Sequence, residues 1–146
     1  MHPVLEFIAT LSATLFCGAA IYINLVEHPA RMGCGTKIAR TVWAPSYKRA
    51  TVMQASLAIV GFLCGVGAWI LGGSSWWLFG ALFIGAVVPF TFVVIMPTNH
   101  RLEESERDLG SEETRALLEK WGKLHAVRSM LSLVASVIYV GLSVGA

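Results

Sequence analysis

Residues 76–97, WWLFGALFIGAVVPFTFVVIMP, run without one charged side chain. That is the length and composition of a helix crossing a hydrocarbon core about 30 Å thick. Three more runs of the same kind lie at about 4–26, 50–71 and 124–144. The chain of 146 residues is 55% hydrophobic and 14% charged, where a soluble domain carries roughly 25% charged residues. With a mean hydropathy of +0.66, a bilayer is the solvent it fits. The expected fold is all-α: one domain, an antiparallel up-down bundle of four transmembrane helices at about 4–26, 50–71, 76–97 and 112–144, the last beginning as a cytoplasmic extension.

No basic stretch precedes the first run and no small-residue cleavage site follows it, so it is expected to stay as a helix rather than be removed as a signal peptide. Gly72-Gly73-Ser74-Ser75 is short enough only for an antiparallel hairpin, and it predicts Trp76 and Trp77 at headgroup level. Gly61 and Gly65 have GxxxG spacing, which permits close helix approach and offers a face for a homo-oligomer. Pro89 predicts a kink in the third span. The stretch 29–45, with Gly33, Gly35 and Trp43 and no long apolar period, reads as a loop or short interfacial helix. Ser111 can cap a helix starting at Glu112, and Leu117, Leu118, Trp121, Leu124 and Arg128 keep helical spacing.

All 11 Lys and Arg residues fall after the first span or between the third and the start of the fourth. With four spans these two segments share one face, which the positive-inside rule makes cytoplasmic, with both termini outside an inner membrane. A net charge of +2 without a basic stripe points away from nucleic acid. Cys17, Cys34 and Cys64 form no CxxC pair, so they read as structural thiols rather than a disulfide framework or zinc knuckle. No internal repeat or low-complexity tract interrupts the chain.

Polar groups at membrane depth are costly and usually face the bundle interior. Asn24, Glu27 and His28 share a face at the end of the first span, Trp121, His125 and Arg128 share one on the fourth, Asn99 and His100 end the third, and Arg49 and Gln54 open the second. Antiparallel connection brings these ends to one depth. The candidate catalytic residues are His125, Arg128, Asn99 and Glu27, with Trp121, Arg49 and Gln54 as substrate contacts. Two cofactor readings stand. His28, His125 and Glu27 are ligand types for a transition metal such as copper or iron; with no metal, His125 serves as a general base while Arg128 or Asn99 stabilises an oxyanion. The plainer alternative is a set of interface groups, with Glu27 and Arg128 as an ion pair. His2 reads as an exposed terminal residue and Glu6 as reaching water. Met53, Phe90, Phe92 and Met96 read as core or lipid-facing.

Glu27-His28-Pro29, Arg49 with Gln54, Pro97-Thr98-Asn99 with Leu102, and the WxxxHxxR set Trp121, His125 and Arg128 resemble the domain-of-unknown-function 1772 membrane proteins, which include the fungal anthrone oxygenases. The resemblance covers nearly the whole chain. It implies a four-helix membrane fold and, in characterised members, oxidation of an anthrone to an anthraquinone by O2, with His125, Arg128, Asn99 and Trp121, followed by Glu27 and His28, as the positions carried over. The expected function is an oxygen-dependent oxidoreductase acting on an aromatic, anthrone- or quinone-like molecule. The partners are then the lipid bilayer, that hydrophobic molecule and O2. A small accessory membrane protein and a metal- or haem-binding protein are the alternatives.

Overall fold

The computed structural model describes residues 2–145, which form four long helices: α1 (His2–Gly33), α2 (Thr36–Ile70), α3 (Trp76–Glu103) and α4 (Glu112–Gly145). Each is long and apolar enough to cross a membrane, and no strand occurs among the described residues. The chain is an integral membrane protein of four helices. Each of α1 and α3 packs against both α2 and α4. This gives a four-sided bundle with a small-residue interior, including Ala9, Ala13, Ala58 and Ala135. Large apolar side chains such as Leu15, Leu63, Leu82 and Val137 face outward. At 1.5 Å per residue, the 35 residues of α2 and 34 of α4 extend about 50 Å. Both therefore project beyond the hydrocarbon at the end carrying the basic segments.

The stretch between the first two spans, expected as a loop or short interfacial helix, is helix almost throughout and continuous with both spans. α1 runs to Gly33, the chain turns at Cys34–Gly35, where Gly35 has φ 93°, and α2 starts at Thr36. Tertiary contact explains the difference. Ala39, Trp43, Tyr47, Ala50 and Gln54 repeat at helical spacing, and Trp43 is fully buried against Tyr47 and Trp121. Pro45 lies on the exposed side of α2. The carbonyl it frees, that of Thr41, is on an exposed residue as well.

α1 and α3 each contain one π-helical turn, Ile23–Glu27 and Thr91–Ile95. Each lies just ahead of a proline, Pro29 or Pro97. A proline ring collides with the carbonyl four residues back, here that of Leu25 or Val93. The wider turn carries the chain around that collision. The helix over Pro89 stays α-helical through Phe90, and the π-turn follows directly after it.

Two other expectations change. Trp76 is 56% exposed, but Trp77 is 3% exposed and tilted against Tyr139 in the core. The Gly61–Gly65 face is filled from within: Gly61 meets Ser12 and Ala13 of α1, and a Cβ on Gly65 or Gly80 would overlap the Tyr139 ring. The Tyr139 hydroxyl donates to the Gly61 carbonyl at 3.3 Å. Intramolecular packing has taken the surface expected for a homo-oligomer.

Ser111 caps α4 as its sequence suggests, accepting from the Thr114 N–H at 3.1 Å. The three cysteines are free thiols. At the opposite end His2 is partly covered rather than exposed, with its Nε2 3.0 Å from the Ala68 carbonyl and its ring 3.4 Å from Glu6.

Candidate functional site

At the basic end all four helices contribute to one small cavity: Arg31 from α1, Thr51 and Gln54 from α2, Thr91 and Asn99 from α3, and Trp121, His125 and Arg128 from α4. Its volume is about 20 Å³, by a measure in which one water needs roughly 10–15 Å³. Both π-turns reach it, through Ile23 and through Thr91 and Ile95. Wider turns of this kind recur at functional sites because they re-aim the side chains that follow.

His125 is 1% exposed and fixed by Asn24. The Asn24 amide nitrogen donates to the Gly122 carbonyl at 3.0 Å, which assigns its oxygen. That oxygen lies 2.7 Å from His125 Nδ1 and accepts from the Ser129 hydroxyl at 2.6 Å. A carbonyl oxygen can only accept, so Nδ1 carries the proton. In the neutral imidazole Nε2 is then the lone-pair nitrogen.

Arg128 is 8% exposed, and its Nη2 donates to Gln54 Oε1 at 2.7 Å. Its guanidinium also lies 5.5 Å from the Phe16 ring centre. The partner is neutral, so this buried cation has no carboxylate beside it. A second guanidinium, Arg31, is 5% exposed. It donates from Nη1 to Glu27 at 3.1 Å and from Nε to His28 Nδ1 at 3.1 Å, and lies 5.2 Å from the Trp121 ring centre. No carboxylate lines the cavity. Glu27 sits at its rim, where it also accepts from Ser46 at 2.5 Å.

Six buried side-chain polar atoms among the described residues lack a hydrogen-bond partner. Four of them, Arg31 Nη2, Gln54 Nε2, Asn99 Oδ1 and Arg128 Nε, belong to residues of this cavity. Each such atom costs about 1–3 kcal/mol when left unpaired. Three of the four, on Arg31, Gln54 and Arg128, are donors and suit a ligand oxygen bearing negative charge, while Asn99 Oδ1 is an acceptor and suits a donor.

The sequence-derived residues divide clearly. His125, Arg128, Asn99, Gln54 and Trp121 come together around the cavity. Arg49 and His100 are exposed and outside it. The Glu27–Arg128 ion pair does not form; Glu27 pairs with Arg31. His28 lies against Gly122, where a Cβ would come within 2.7 Å of its Nε2, and its ring is 5.2 Å from Trp121. Glu27, His28 and His125 thus point to separate partners and do not fit a shared metal, and no group of three or more His, Cys, Asp or Glu side chains suited to one occurs among the described residues. Trp121 contacts Arg31 and His28 and stacks on His125 at 4.9 Å.

In the sequence Arg31 stands out only as one of the charges of the basic segment after the first span. Its spacing from Glu27 and His28, at i+4 and i+3, was the available signal. The Asn24 contact was likewise hidden, because the π-turn shifts the angular relation between Asn24 and the residues after it.

A membrane bundle with a buried, cationic, imidazole-containing cavity at one end defines the class. The sequence profile of the anthrone oxygenase family matches residues 43–138, and the chain belongs to that family. An anthrone oxygenase of Claviceps purpurea is 26% identical over 94% of this chain and 88% of its own length. One of Pestalotiopsis fici is 34% identical over 66% of this chain and 78% of its own. One of Aspergillus fumigatus is 41% identical over a shorter match, 36% of this chain and 35% of its own length. No solved structure matches the chain. The profile spans Gln54, Asn99, Trp121, His125 and Arg128 and leaves out Asn24 and Arg31.

Proposed function

We propose that this protein is an oxygen-dependent oxidoreductase that converts an anthrone-like aromatic ketone to the quinone, in an inner membrane with its basic end in the cytoplasm. The observation that carries the reading is Arg128, a buried guanidinium bonded only to neutral Gln54, in the same cavity as an imidazole whose tautomer is fixed by Asn24.

An anthrone has a CH2 group between two aromatic rings, opposite a ketone. Removing one of its protons places negative charge on the ketone oxygen. His125 Nε2 takes that proton, and Arg128 with Gln54 Nε2 holds the oxyanion. The electron-rich carbon reduces O2 and forms a carbon–oxygen bond, and the resulting peroxide anion recovers the proton from His125. Loss of the second C–H proton, with the electrons of that bond expelling hydroxide, gives the quinone and one water. Ketone and O2 then balance without an external reductant.

Arg31 strengthens the positive potential, and Glu27 with Ser46 orients it. Trp121, already covered by His125, Arg31 and His28, acts by holding those groups rather than by stacking on a ring. Asn99 supplies a polar contact at the α3 side. The test is O2 uptake by purified protein supplied with anthrone. His125→Gln is expected to slow turnover about 10²–10⁴-fold, and unchanged turnover removes the base.

A further inference from the structure

The polar cavity, at about 20 Å³, holds little more than one oxygen atom and its hydrogens. The ring system of any aromatic ligand must lie outside it. One neighbouring space shares its wall: an apolar cleft of about 110 Å³ between α2 and α3, in which Thr51, Thr91, Met96 and Arg128 border both. Ala55 and Ala58 of α2 form one side, Val88 and Phe92 of α3 the other, and Phe16 and Arg128 the floor. Thr51, Ala55 and Ala58 recur at helical spacing, so α2 presents a strip of small side chains along the seam. Phe92 is 64% exposed at the outer lip. Further along the same seam the cleft meets an open apolar groove, with Ala58 and Val88 in common.

We propose that the α2–α3 cleft is the lateral entrance and ring-binding subsite for a flat aromatic ligand arriving from the bilayer. The rings lie between Ala55 and Val88 with one end directed at the polar cavity, so that the ketone on one long edge meets Arg128 and the opposite edge, which carries the CH2 in an anthrone, faces His125. The chemistry at that edge rests on the function proposed above; the binding geometry rests on the continuity of the two spaces. An acyl chain suits the outer groove, but it has no oxygen to offer the unpartnered Arg128 Nε at the inner end.

The test uses anthraquinone, which has the rings and oxygens but no CH2 to oxidise, in liposomes containing the full-length protein. Ala55→Phe fills the cleft, and Val52→Phe, on a lipid-facing position of the same helix, is the control. Ala55→Phe is expected to weaken anthraquinone binding roughly tenfold or more, about 1.4 kcal/mol, and to lower kcat/KM for anthrone in parallel, while Val52→Phe changes neither. Equal binding by folded Ala55→Phe overturns the subsite, as does absence of saturable anthraquinone binding to the unaltered protein. Photolabelling of the unaltered protein with azidoanthraquinone gives an answer even if Ala55→Phe does not fold. Adducts in 51–58 and 88–96 that excess anthraquinone suppresses support the cleft; adducts elsewhere, or labelling that never saturates as for an acyl-chain groove, overturn it. Cleft-dependent binding without O2 uptake leaves the subsite standing and removes the function. O2 uptake that Ala55→Phe leaves unchanged does the reverse.

Discussion

At the residue scale the proposed chemistry depends on pairs rather than on single groups. His125 has a defined tautomer only because Asn24 accepts from it, so Asn24→Ala is expected to lower kcat by about 10²-fold, much of what a positioned base contributes. The His125→Gln and Asn24→Ala losses should not add in the double variant, since both remove one function; fully additive losses would separate the two residues. Arg128→Met removes an oxyanion donor and is expected to cost about 10²–10³ in kcat, while leaving anthraquinone binding less affected, because the quinone carries no full negative charge. His125, Arg128, Asn99 and Trp121 were legible in the sequence because polar side chains at helical spacing stand out against an apolar span. For Arg31 the spacing from Glu27 and His28 marks the local contacts, but its burial depends on the Trp121 ring, a contact between α1 and α4 that no local pattern encodes.

At the scale of the elements, the spans themselves were plain from apolar length, and the departures arose where tertiary packing overrode local composition. Glycines and prolines at 29–45 suggest a loop or a short interfacial helix, yet the Trp43 contacts hold α2 as one long helix through Pro45. Trp77 was assigned to the headgroups by its position, but the space beside Tyr139 draws it inward. The Gly65–Gly80–Tyr139 arrangement is a close fit, so Gly80→Val is expected to destabilise the bundle by about 1–3 kcal/mol through overpacking, seen as a lower Tm in detergent. An unshifted Tm would mean that the ring has room to move. Ser111→Ala removes the cap of α4 at an end remote from that contact and is expected to cost about 1 kcal/mol, with no change in kcat.

At the scale of the whole molecule, the bundle separates a close-packed half built on small residues from a basic half that holds the cavity. Charge distribution made that polarity legible, since both basic segments must share a face once there are four spans. It could not show that the polar ends meet in a space of molecular size, which follows from the two π-turns and the long reach of α2 and α4. Cys34 is exposed in the α1–α2 turn at the basic end. A membrane-impermeant maleimide is expected to label it only from the cytoplasmic side, and labelling from outside would invert the orientation. The proposal that His125 and Arg128 drive oxygenation at this cavity is tested by supplying purified protein with anthrone under ¹⁸O2 and analysing the product by mass spectrometry. Anthraquinone carrying one ¹⁸O atom is expected, formed with one O2 consumed per product and lost in His125→Gln. Quinone formation that is unchanged in His125→Gln, or that takes its new oxygen from water, would contradict it.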